Sequence, residues 1–263
     1  MGSLLLIYWV FRNIDLSEAW QLFVRLPVWV SLVALLLYNV SQWVSVWRVG
    51  LFYRLLGLDL SWGWQTRLYY VGMFYSLFIP GGIGGDAYKI YHLRKKGTVR
   101  TKSLVGVSLA DRLNGLVAIL LALGVLFGYT SLPYLWWAIV GLVLGAGLVS
   151  FGVWRWFGVA YAAWWPALGL SVLVQGCQLL CVGVLLYGWE VAPAELPLYG
   201  FVFLLSSLAS VVPITLGGVG AREFTFLSMS GLLGIDAGVS VTLALLFFLI
   251  VAGSALLGGV LRV

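Results

Sequence analysis

Residues 68–86 read LYYVGMFYSLFIPGGIGGD, an apolar run from Leu68 to Ile79 cut off by Pro80-Gly81-Gly82-Ile83-Gly84-Gly85 and closed by Asp86. A helix needs about 20 apolar residues to cross the hydrocarbon core, and this run offers only about 12. It is too short for a crossing and too apolar for an aqueous loop, so the spacing predicts a short re-entrant helical hairpin. The pattern returns at residues 198–223, LYGFVFLLSSLASVVPITLGGVGARE: a short apolar run to Val212, then Pro213, Gly217-Gly218-Val219-Gly220 and the charged pair Arg222-Glu223. Hydrocarbon tolerates irregular backbone only where protein or water satisfies the freed N–H and C=O groups, so both breaks imply a buried cavity.

The rest of the chain fits the same solvent. It is 62% hydrophobic and 9% charged, with mean hydropathy +1.05, against about 45–50% apolar and 25% charged in soluble domains. The expected fold is all-α: a polytopic membrane helix bundle forming one domain over 1–263, with about six full spans and two re-entrant hairpins related as an inverted repeat. Trp43 and Trp47, Trp62 and Trp64, and Trp164 and Trp165 lie near the ends of apolar runs, where amphipathic rings favour the headgroup layer. The formal charge of +6 is explained by basic residues flanking spans, so nucleic acid is not an expected partner. Cys177 and Cys181 share one helical face in an apolar run and read as small hydrophobes; no cofactor or metal is expected. Met1 to Val10 has no basic n-region or small-residue cleavage site and reads as a short first span rather than a signal peptide.

Spans are expected at Val28–Trp47, Leu104–Phe127, Leu135–Val153, Ala167–Tyr187 and Ala237–Leu261. Residues Arg12 to Leu26 carry apolar side chains at helical spacing and suit either an interfacial helix or a polar connector. This threading leaves Arg48, Arg54, Arg67, the basic stretch Lys89 to Lys102, Arg155 and Arg262 in connections on one side. Opposite them are only Arg12, Arg25 and Arg222. Basic connections stay in the cytoplasm, so both termini are expected there, in a cell-membrane protein.

Paired Gly/Pro-interrupted segments in corresponding halves point to an inverted-repeat transporter with its site near the midplane. The candidate substrate-binding residues are Gly81, Gly82, Gly84, Gly85, Asp86 and Lys89 at the first break. Gly217, Gly218, Gly220, Arg222 and Glu223 belong to the second, and Asp111 and Arg112 lie inside the span beginning near Leu104. If a helix begins at Ala87, the amides of Gly84 to Ala87 offer a phosphate site, unless Asp86 caps them instead. Intramembrane charge is costly and normally paired; the candidate partners are Arg222 or Lys89 for Asp111, and Asp86 or Glu223 for Arg112. These charges either lock helices together or meet a polar headgroup. Arg222-Glu223 is likewise either a local brace or an anion-binding arginine held by a carboxylate. His92, and the run Arg94-Lys95-Lys96, suit an interfacial surface facing anionic lipid.

Pro80 through Asp86, Asp111-Arg112 with Gly115, and Pro213 through Glu223 together resemble the transmembrane region of lysylphosphatidylglycerol synthases. That region is the flippase domain of the multiple peptide resistance factors and their standalone relatives. The resemblance covers nearly the whole chain and implies a bundle that moves a phospholipid, aminoacylated or otherwise headgroup-modified among the candidates, between leaflets. A synthase domain is not expected within these 263 residues, which leaves the headgroup open. The expected activity is therefore lipid transport without covalent chemistry, and the expected partner a membrane phospholipid. Two alternatives stand beside it. One is a non-catalytic partner of a lipid-modifying enzyme or glycosyltransferase; the other is a membrane enzyme using Asp86 or Asp111 as a base, which no HExxH, Ser/His or clustered-carboxylate pattern supports.

Overall fold

Hydropathy and length place most of the helices. The structure, a computed structural model, describes residues 16–79, 83–96, 99–130, 136–156, 162–211 and 220–262. Among these are ten helices: α1 Leu16–Arg25, α2 Val28–Leu55, α3 Trp62–Phe78, α4 Ile83–Lys96, α5 Thr101–Phe127, α6 Trp136–Trp156, α7 Trp164–Gly188, α8 Leu196–Val211, α9 Ala221–Leu233 and α10 Ala237–Val260. No strand occurs among the described residues. Among the described residues four helices, α2, α5, α7 and α10, are long and apolar enough to cross a membrane.

Four of the expected spans, Val28–Trp47, Leu104–Phe127, Ala167–Tyr187 and Ala237–Leu261, fall on these helices. The short first span expected within Met1 to Val10 lies outside the described residues, and the expected span Leu135–Val153 falls on α6, a helix of 21 residues that holds the apolar stretch Val143–Gly152. Helix α2 runs past Trp47 to Leu55, because Val49, Phe52 and Tyr53 continue its buried face. At 28 residues it is about 42 Å long, more than a hydrocarbon core requires. Arg48 therefore sits within a helix rather than in a connection. Gly57, at φ 74°, turns the chain after α2, in a conformation that a Cβ disfavours.

Residues 16–25 form the helix that was one of two readings for this stretch. Trp20 and Val24 on α1 are exposed, and the Trp189 indole N–H donates to the Leu22 carbonyl at 2.9 Å. The apolar core is continuous through Tyr38, Phe203, Phe247, Leu185 and Leu243, where α2, α7, α8 and α10 meet. A second core holds Phe52, Tyr53, Leu68, Leu104 and Trp164. Cys181 is buried, with its thiol against the Ala34 carbonyl at 3.3 Å.

Small residues set the helix spacing, since lipid supplies no hydrophobic drive between helices and close backbone packing must replace it. A Cβ on Gly258 of α10 would overlap the Tyr70 carbonyl of α3. Beside that contact Tyr70 OH donates to Asn39 Oδ1 at 2.8 Å, and Asn39 Nδ2 donates to Ser254 Oγ at 3.0 Å, tying α2, α3 and α10 together.

Helices α3 and α4 form an antiparallel hairpin along their whole length. Lys96 lies over the Trp64 ring, Lys89 over Tyr69, Tyr88 stacks on Tyr75, and Gly85 meets Gly72. The basic stretch from Lys89 to Lys96, expected as a connection, is the second arm of this hairpin. Helices α8 and α9 pack against each other, and residues 212–219 between them lie outside the described residues.

Candidate functional site

A cavity of about 420 Å³ opens where the two short-helix pairs approach each other. Helix α2 lines it with Tyr38, Gln42 and Arg48, and α3 with Tyr69, Met73 and Ser76. Asp86 and Lys89 come from α4, Asp111 and Arg112 from α5, Ser207 and Ser210 from α8, and Arg222 from α9. Every charged candidate except Glu223 reaches this space, so one charged and hydroxylated cavity lies inside an otherwise apolar bundle.

The charges fall into three groups. In the first, Arg48 holds Asp111 with two hydrogen bonds, Nε to Oδ1 at 2.7 Å and Nη2 to Oδ2 at 3.1 Å. Its remaining Nη1 donates to Ser171 Oγ at 3.0 Å; Ser171 donates to Asn114 Oδ1 at 2.6 Å, and Asn114 Nδ2 donates to the Trp164 carbonyl at 2.9 Å. This chain joins α2, α5 and α7 and is buried at every member. The expected partners of Asp111, Arg222 and Lys89, are thereby replaced by Arg48. Both carboxylate oxygens are engaged in the fork geometry that guanidinium offers and ammonium does not.

In the second group Asp86 is shared. Lys89 Nζ lies 2.9 Å from its Oδ1, and Arg112 Nε donates to its Oδ2. Asp86 was one of the two partners expected for Arg112. Helix α4 starts at Ile83, not at Ala87, so Asp86 sits inside the first turn, and its carboxylate is turned to the cations. The expected choice between an amide cap and an open phosphate site at Gly84 to Ala87 therefore gives way to an ion-paired cluster. Gly84 and Gly85 serve packing instead. A Cβ on Gly84 would lie 2.7 Å from the Tyr75 carbonyl, and one on Gly85 would overlap the Gly72 carbonyl and the Ser76 hydroxyl. The two glycines let α4 press against α3, which holds Asp86 and Lys89 at the cavity wall.

The third group is Arg222 alone. Its guanidinium lies 5.1 Å from the Phe247 ring centroid and 5.8 Å from that of Phe203. Its buried Nη1 has no hydrogen-bond partner among the described residues. The adjacent Glu223 makes no ion-pair contact with it among the described residues: Glu223 Oε2 accepts the Gly220 N–H at 2.7 Å and closes the first turn of α9, and its Oε1 is buried without a hydrogen-bond partner among the described residues. Gly220 makes that bond at φ 89°, a backbone region open to glycine. Of the other candidates, Gly81, Gly82, Gly217 and Gly218 lie outside the described residues.

Sequence reasoning missed Arg48, Asn114 and Ser171. The signal for Arg48 was the apolar run continuing beyond it, Val49-Gly50-Leu51-Phe52-Tyr53, which marks a residue inside a helix rather than at its end. Asn114 and Ser171 are single polar residues in apolar spans and carry no comparable pattern. No grouping of His, Cys, Asp and Glu suited to a metal ion occurs among the described residues.

The family described as the lysylphosphatidylglycerol synthase TM region matches the chain over residues 1–162 and 155–259. No curated protein matches it. The chain belongs to the lysylphosphatidylglycerol synthase TM region family, and with its long apolar helices it is a multi-pass membrane protein.

Proposed function

We propose that this family member moves a phospholipid between membrane leaflets, its headgroup passing through the cavity between the two short-helix pairs. The observation that carries this reading is the convergence of Asp86 and Lys89 from the first break, Arg222 from the second, and Arg112 between them on one space of about 420 Å³. Charged side chains are costly at membrane depth and, when they line a cavity, mark the path of a polar substrate. A headgroup needs such a polar recess while its acyl chains stay in lipid, and the lipid-facing apolar helices around the cavity supply that boundary.

In this reading the α3–α4 and α8–α9 pairs are re-entrant hairpins related as an inverted repeat, entering from opposite faces. Both termini are cytoplasmic and the membrane is the cell membrane. In this reading transport proceeds without covalent chemistry, and it is supported by Asp86 and Asp111 each being held by cations. A lipid-modifying enzyme that supplies the lipid is a natural partner, and the basic arm of α4 a place for it.

Leaflet movement of fluorescent anionic, zwitterionic and lysyl-modified phospholipids in liposomes tests the proposal, using wild type, Arg112→Ala and Asp86→Ala. Headgroup-dependent movement in wild type, lost in variants that elute as folded protein, is expected. Movement no faster than in empty liposomes for every lipid, with and without an imposed proton gradient, would refute it.

A further inference from the structure

We infer that the cavity takes a headgroup of net negative charge, its phosphate seated at Arg222. This rests on the reading of the cavity as a headgroup site, and it names the class of headgroup. Cations outnumber carboxylates in the cavity lining. Arg48 is matched by Asp111 through two hydrogen bonds. Lys89 and Arg112 share the single carboxylate of Asp86. Arg222 has no carboxylate in ion-pair contact among the described residues, with Glu223 acting on it only at longer range; it lies against the faces of Phe203 and Phe247, and its buried Nη1 has no acceptor among the described residues.

In formal charge, four cations of the cavity lining, Arg48, Lys89, Arg112 and Arg222, stand against two carboxylates, Asp86 and Asp111. Counting Glu223, which spends one oxygen on Gly220 outside the cavity lining, still leaves a positive excess. A buried guanidinium without an acceptor is costly, and a phosphate oxygen is the acceptor its planar fork fits best. A zwitterionic headgroup would bring its own ammonium into a site that already has cations to spare. A headgroup carrying a further lysyl charge would do so more strongly. The Lys89–Asp86–Arg112 cluster then stands as a second, weaker positive wall for the rest of an anionic headgroup.

The test is direct binding to the purified full chain in neutral detergent, read by intrinsic tryptophan fluorescence. The probes are short-chain phosphatidylglycerol, phosphatidylethanolamine, lysylphosphatidylglycerol and inorganic phosphate. Phosphatidylglycerol is expected to bind at least about tenfold more tightly than either of the other two lipids, and to weaken with salt as a charge-assisted contact does. Arg222→Gln should remove that preference, and Arg222→Lys should keep part of it. If the glutamine variant does not fold, the lysine variant and the wild-type ranking still decide.

Equal or tighter binding of the lysyl or ethanolamine lipid, no binding of any lipid, or an unchanged ranking in folded Arg222→Gln would overturn the inference. Inorganic phosphate binding as tightly as phosphatidylglycerol would overturn its lipid part and leave a free-anion site. Failure of the transport reading is distinct: phosphatidylglycerol would bind at Arg222 without leaflet movement. Conversely, movement that favours zwitterionic or lysyl lipid would sink the anion seat and leave transport standing.

Discussion

Asp111→Ala tests whether the Arg48–Asp111 pair is a structural lock rather than a headgroup contact. The side chain of Arg48 makes three hydrogen bonds, two of them to Asp111 and one to Ser171, so the substitution removes both charge-assisted bonds and leaves a buried cation on one neutral hydroxyl. Breaking one side of a buried ion pair costs about 3–5 kcal/mol, most of it the exposed desolvation of the survivor. Replacing both partners with apolar residues of similar volume removes that orphaned charge. Arg48→Met/Asp111→Leu is therefore expected to recover to within about 1 kcal/mol of wild type. The assay is equilibrium unfolding in mixed micelles, followed by near-ultraviolet circular dichroism of the tryptophans. Leaflet movement should persist in the double variant, because the pair adds no net charge to the cavity. An Asp111→Ala protein as stable as wild type would refute the lock. So would a folded double variant that no longer moves lipid, which would assign the pair to the headgroup.

Further outcomes follow from the same geometry. Ser171→Ala breaks the link between Arg48 and Asn114 and should cost about 1 kcal/mol in that unfolding assay, without changing headgroup preference. Arg112→Ala leaves Asp86 still paired with Lys89, so it should cost less than Asp111→Ala while abolishing movement; unfolding and liposome assays on one preparation separate the two effects. Gly85→Val places branched carbons where the Gly72 carbonyl and the Ser76 hydroxyl already lie and should destabilise by about 1–3 kcal/mol or more as α4 is pushed from α3. Gly85→Ala should do so less, and thermal unfolding of the pair gives the order. Glu223→Ala removes the acceptor for the Gly220 N–H and should lower stability by about 1 kcal/mol, whereas Glu223→Gln keeps an acceptor and most of it.

The sequence alone determined the solvent, the class of fold and the places where helices break. These are set locally: an apolar run either reaches about 20 residues or does not, and a proline breaks the regular helix that runs into it. The family resemblance followed from the same local motifs. It also placed Asp111 and Arg112 inside an apolar span, where a charge calls for a partner. The partners of those charges were decided by the tertiary structure. Arg48 and Asp111 lie 63 positions apart, and their meeting depends on how α2 and α5 are rotated about their own axes, a quantity fixed by packing that spacing along one helix does not contain. Neighbouring residues were misleading for the same reason: Arg222 and Glu223 are adjacent in sequence, yet successive residues project about 100° apart on a helix, so one turns to the cavity and the other to the start of its own helix. The glycines at the breaks looked like room for a ligand, and at Gly84 and Gly85 the room is filled by a neighbouring helix. Only the packed bundle distinguishes the two uses, because a missing Cβ admits whatever backbone lies closest.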